Sequence, residues 1–160
     1  MTYEERINIL DRGIIRMNTY LSYGAAYNDH LDSTGNEARQ EAYDVLKKIE
    51  ATQYSIYSIK NISFDACRRN MFGCDYHSIV AIETNKCNAY KQSLNAIINI
   101  LNQERERLIK EQADEEQKKI YDAQVASNKL QKESIMWGKI AAFASIASII
   151  VSIILYLCNN

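Results

Sequence analysis

The sequence predicts an all-α protein: an antiparallel helical bundle whose extended last helix runs into a C-terminal transmembrane helix. Three observations predict it. The 160-residue chain has no Pro and only 5 Gly, so little interrupts long helices. Apolar residues recur three and four apart over most of the chain ahead of its final stretch. That final stretch, Ile140 to Cys158, reads IAAFASIASIIVSIILYLC and carries no charge. A bilayer core of ~30 Å takes about 20 mostly apolar residues in helical form. With Trp137 and Gly138 before it, the run is just long enough.

The first helix is expected to begin at Thr2. Thr2 and Glu5 form a capping box, in which the hydroxyl takes the Glu5 amide and the carboxylate reaches back. Ile7, Leu10, Ile14, Met17, Leu21 and Gly24 then mark one apolar face, and the helix runs to about Leu31. The segment HLDSTGNE is rich in turn residues and predicts a break.

The second helix is expected near Thr34, with Glu37 as its capping partner. Its seam is Ala38, Ala42, Val45, Leu46, Ile49, Thr52, Ile56 and Ile59. The run TQYSIYSIKNISF has the β-branched and aromatic content of a strand. No turn residues bound it, so the helix is expected to continue to Arg68 and Arg69, cations suited to a helix C-terminus. Gly73 then supplies a reversal.

The third helix is expected from about Asp75, with Cys87, Tyr90, Leu94, Ile97, Ile98, Leu101 and Leu108 on its seam. QERERLIKEQADEEQKK follows and is almost wholly polar. Glu106 with Lys110, Asp114 with Lys118 and Glu115 with Lys119 sit at the favourable i, i+4 spacing. Such a segment is either a solvated stalk or, with a bend, a fourth helix. Ile109, Ala113, Ile120, Ala123, Ser127 and Leu130 keep a seven-residue pattern that Glu116 interrupts. The expected division is a helical bundle at 1–103, a charged stalk or fourth helix at 104–134, and a transmembrane helix at 135–158. The turn from Arg68 to His77 then becomes the end of the bundle farthest from the bilayer.

Lys129, Lys132 and Lys139 precede the apolar run and no basic residue follows it. The positive-inside rule then keeps the N-terminal part in the cytoplasm, which implies a single-pass protein of the cell inner membrane. Trp137, Lys139 and Tyr156 are the expected interfacial anchors. Ala141, Ser145, Ser148 and Ser152 share one stripe, and Ala144 with Ser148 and Ser152 forms a small-residue ladder. Small residues let membrane helices approach, and serine hydroxyls can bond across helices or line a narrow pore. The same serines can equally bond back to their own preceding turn.

A net charge of −1 argues against a protein that coats nucleic acid, and no DNA partner is expected. Cys67, Cys74, Cys87 and Cys158 form no CxxC pair, and His30 and His77 are the only histidines, so no metal or other cofactor is expected. No Gly-rich phosphate loop or nucleophile elbow is present. One cluster offers chemistry: Arg68, Arg69 and Asn70, with His77 beyond the Gly73 turn. Arginine holds phosphate, and histidine moves protons near neutral pH.

Arg69-Asn70 followed by His77 in a small all-α domain resembles the motif of HEPN-type ribonuclease domains. That resemblance implies that Arg69 and His77 cut RNA, with the pair assembled across a dimer. A HEPN-like unit joined to a membrane segment is similar to the membrane accessory proteins of type VI-B CRISPR systems. This implies an oligomeric, membrane-active antiphage factor. Three functions follow as expectations. The first is a membrane effector that oligomerises through its head and perturbs the bilayer as a pore. The second is a membrane-tethered RNA-binding or RNA-cutting module, and the third a non-enzymatic tether. The expected partners are membrane lipid, further copies of the chain, and an RNA or protein trigger.

Overall fold

The computed structural model describes residues 1–23, 30–67 and 76–158. They form four α-helices and no strand among the described residues: α1 (Tyr3–Tyr23), α2 (Leu31–Lys48), α3 (Gln53–Lys60) and α4 (Tyr76–Cys158). A 3₁₀ turn at Asp65–Cys67 follows α3. The chain divides into a compact head, Met1–Gln112, and a second unit, Ala113–Asn160.

The head's core is one apolar cluster. Leu10 and Met17 of α1, Ala38, Ala42 and Leu46 of α2, Ile59 of α3, and Tyr90, Leu94, Ile97, Leu101 and Leu108 of α4 are fully buried. The predicted seam of the last helix is therefore the buried face of α4 within the head. Burial continues past residue 103 to Leu108. On α1 the buried line is Leu10, Gly13, Met17 and Tyr20, while Ile7, Ile14 and Leu21 lie half-buried at its flank. The capping box at Thr2 forms as expected: Glu5 N–H donates to Thr2 Oγ1 at 3.2 Å, and Thr2 N–H to Glu5 Oε2 at 2.7 Å.

Two expected boundaries are corrected. The segment HLDSTGNE is not a break: α2 starts at Leu31, ahead of Thr34, and Gly35 is buried inside it. Gly35 serves close packing. A Cβ there would meet Cγ and Cε1 of the buried Phe64 ring at 2.5 Å, so only glycine lets that ring lie on the helix backbone. The second correction is that the predicted second helix is two helices. The chain turns at Ile49–Thr52 through a Schellman closure: Ala51 N–H donates to Leu46 O at 3.0 Å and Glu50 N–H to Lys47 O at 3.1 Å. Glu50 takes the left-handed position usually given to glycine, at φ 54°. A non-glycine residue there costs about 1 kcal/mol, so Glu50→Gly is expected to raise stability by up to about that amount, measured by urea unfolding.

Side chains distant in sequence satisfy helix ends. Arg6 Nε donates to Ile49 O at 2.7 Å and its Nη2 to Glu50 O at 3.2 Å, covering the C-terminus of α2. Tyr90 donates its hydroxyl to Tyr20 O at 3.0 Å, near the C-terminus of α1. Burial first, then the neighbouring Cys67 and Tyr20, pushes the Tyr90 phenol up to about 12, so it remains a neutral donor. Arg105 pairs with Asp11 at 2.6 Å, and Arg16 with Glu41 at 3.3 Å. From Tyr20–Tyr90 to Asp11–Arg105, contacts run in opposite directions along α1 and α4. Arg6–Ile49 and Arg16–Glu41 show the same for α1 and α2.

The gap in the α4 seam between Leu101 and Leu108 is filled by Glu104, which is 2% exposed. Its Oε1 accepts from the hydroxyls of Thr52 and Ser55, each at 2.5 Å, and Oε2 pairs with Arg107 at 2.8 Å. Thr52 is also the N-cap of α3, its hydroxyl accepting Ser55 N–H at 3.2 Å. The carboxylate thus sits at the positive end of α3, where a negative charge is favoured. Burial by itself pushes the Glu104 carboxyl up. The hydrogen bonds from Ser55, Thr52 and Arg107, with the Arg107 charge, more than offset this and hold it below the usual carboxylate range.

Candidate functional site

The strongest candidate element is the apolar end of α4. Among the described residues, α4 is the one helix long and apolar enough to cross a membrane. Every described side chain from 113 to 155 is exposed, with Phe143 at 72% and Trp137 at 63%. This separates it from the core helix of a soluble protein, whose apolar face would be buried. The helix persists because its residues suit it. No Gly or Pro interrupts Ile140–Cys158, and Glu115 pairs with Lys119 at 3.1 Å in the charged stretch ahead of it.

Ala141, Ser145, Ser148 and Ser152 all lie in this helix and are exposed. Ser145 Oγ donates to Ala141 O, and Ser152 Oγ to Ser148 O, both at 2.9 Å. These two hydroxyl protons are therefore already bonded within the helix, so neither position leaves an orphan donor in a dry environment. Their oxygens keep acceptor capacity, and their small size keeps the face narrow. Lys139 and Trp137 are exposed one turn before the apolar run. Tyr156 lies in the last turn of α4, and its side chain falls outside the described residues.

The second predicted site falls outside the described side chains. Arg68, Arg69, Asn70 and Gly73 lie outside the described residues, and His77 is described in backbone only, near the start of α4. Among the described residues, no group of three or more His, Cys, Asp or Glu side chains could hold a metal ion. Cys67 is buried and Cys87 half-buried, both as free thiols. Burial first, then the nearby Asp32 and Cys87, raises the Cys67 thiol, which makes it a poor nucleophile.

Sequence reasoning missed the buried carboxylate. Its one signal was the missing apolar residue between Leu101 and Leu108, and the hydroxyls that receive it, on Thr52 and Ser55, lie about fifty residues earlier. Comparison with known protein families, curated proteins and solved structures finds no match to this chain.

Proposed function

We propose that this chain is a single-pass effector of the cell inner membrane. Its head is cytoplasmic, copies of the chain associate, and their clustered tails perturb the bilayer in antiphage defence. The observation that carries this reading is the wholly exposed apolar end of α4. Lys129, Lys132 and Lys139, just ahead of the apolar run, support a cytoplasmic head. Opposed contact order along α1, α2 and α4 supports an antiparallel bundle as the head's architecture.

Association is parallel on this reading, because every tail enters the bilayer from the same side. The uncovered stripe Ile109, Ala113, Ile120, Ala123, Ser127 and Leu130 then meets its own copy in register. Glu116 interrupts that stripe and weakens it, so tethering by the membrane must supply much of the effective concentration. The tail ladder of Ala144, Ser148 and Ser152 extends the contact.

A second reading, a plain tether, is favoured by one observation: the bonded hydroxyls of Ser145 and Ser152 need neither neighbour nor water. Membrane leakage separates the two. The protein is expected to resist carbonate extraction, and overproduced wild type to release dye from liposomes. Single membrane hydrogen bonds average only about 0.6 kcal/mol, so Ser148→Ala should leak nearly as well as wild type. Changing Ser145, Ser148 and Ser152 together to Leu should abolish leakage while leaving the protein membrane-bound. Wild-type oligomers that leave liposomes tight would leave the tether standing. Extraction by carbonate would remove the membrane reading altogether.

A further inference from the structure

We propose that the cleft between α2 and α3, lined by Arg39, Gln40, Tyr43 and Lys60, binds a multiply charged phosphate group. The cleft encloses about 320 Å³, at the lower end of the range for small-ligand pockets. Lys60 Nζ lies 5.0 Å from the centre of the Tyr43 ring, and Lys47 Nζ lies 5.5 Å from the same centre. Arg39 stands at the rim, with Nη1 donating to Ile62 O at 2.8 Å. That bond uses one of the five donors of the guanidinium and leaves the rest for an incoming anion.

Two cations, Arg39 and Lys60, thus line the cleft beside one half-buried tyrosine, and a third, Lys47, lies against the same ring outside the lining. Among the described residues none of the three is paired with a carboxylate. Asp44, next along α2, accepts from the Gln40 amide at 3.1 Å, and Glu41 is held by Arg16 and Tyr20. The nearby C-termini of α2 and α3 attract cations, but each amounts to only about half a negative charge. Together with the Asp44 carboxylate, whose charge the neutral Gln40 amide does not cancel, they offset about two charges of three. Cation–π contact with Tyr43 is worth about 0.5–1 kcal/mol at an exposed site and neutralises nothing. The surplus is positive charge gathered at a concave surface, where a phosphate bearing two or more negative charges is drawn most strongly. Arg39 supplies planar paired donors and Lys60 a point charge within the cleft, while Lys47 adds positive charge nearby. Both ammonium groups already lie against the Tyr43 ring, so the site selects a compact phosphate rather than a stacked aromatic ligand.

The same chemistry fits a soluble phosphate compound or the headgroup of an acidic lipid. The test uses the full-length protein in bicelles of neutral lipid, titrated calorimetrically with inorganic pyrophosphate. Saturable binding is expected, with a Kd below about 1 mM in about 0.1 M salt. Lys60→Gln should weaken it ~10-fold, while Lys91→Gln, exposed on α4, leaves it unchanged. Phosphatidic acid is then added to the bicelles. A drop in apparent pyrophosphate affinity in wild type but not in Lys60→Gln assigns the site to a lipid headgroup. An unchanged wild-type affinity, or an equal drop in both proteins, assigns it to a soluble phosphate. Absence of saturation up to about 10 mM, or equal losses in Lys60→Gln and Lys91→Gln, would overturn the proposal.

Discussion

Gly35→Ala destabilises the head by about 3 kcal/mol, the upper part of the usual range for overpacking. The added methyl would fall against the Phe64 ring, which is 1% exposed and leans on Tyr90 with ring centres 5.8 Å apart. Neither aromatic ring can retreat without opening the core, so the strain is not shed cheaply. Alanine would otherwise favour the helix by about 1 kcal/mol over glycine, so propensity alone predicts the opposite sign. Urea unfolding in detergent, followed by the near-ultraviolet signal of the head's tyrosines, measures the difference. Phe64→Ala alone should cost about 3–5 kcal/mol. The double variant should fall short of the sum by about 2 kcal/mol, because a truncated Phe64 leaves room for the new methyl. Strict additivity would show that Gly35 is required for some other reason than the ring.

Glu104→Ala is expected to cost about 3 kcal/mol. It strips the acceptor from Thr52 and Ser55, leaves a void beside Leu101 and Leu108, and frees Arg107 from one of its two carboxylates. Arg107 keeps Glu111 and part of its hydration, which holds the loss at the low end for a buried pair. Glu104→Gln retains the shape and one acceptor oxygen, and should cost about 1–2 kcal/mol. The two variants also differ from wild type in acid. The folded-state carboxyl of Glu104 lies below its ordinary value of 4.5, so the charged network contributes in full above that value. Its contribution is lost as pH falls below 4.5 toward the depressed value. Wild type should therefore lose stability more steeply than Glu104→Gln across that acid window. Parallel pH profiles would show that the carboxylate is not what holds the start of α3.

Much of the fold was legible because it is written locally. The Thr2–Glu5 box and the α4 seam from Tyr90 to Leu108 depend on residues within a turn or two of one another. What stayed hidden depends on distant partners. The break at Ile49–Thr52 carries no glycine; Glu50 takes the strained position and Arg6, from the first helix, covers the carbonyls. A turn completed from so far away leaves no local mark. Gly35 misled in the other direction. Among Asp, Ser, Thr and Asn it read as a turn residue, and only Phe64 on the far side of α3 reveals it as a packing position. At the tail, apolar length marked a candidate membrane span, and the serine stripe was visible as a spacing. Spacing is silent on where a hydroxyl proton goes, and for Ser145 and Ser152 it goes to the helix's own carbonyls.

Those two bonds bear on the order of events in a cell. A hydroxyl that must find a partner on another chain ties a helix's entry into lipid to the arrival of that chain. Hydroxyls already spent on the preceding turn remove the dependence, since hydrocarbon then meets no orphan donor at either position. On the membrane reading, neither of these two positions makes a newly made tail wait for a partner before it inserts. Gathering becomes a later and separately timed step, open to control from the head.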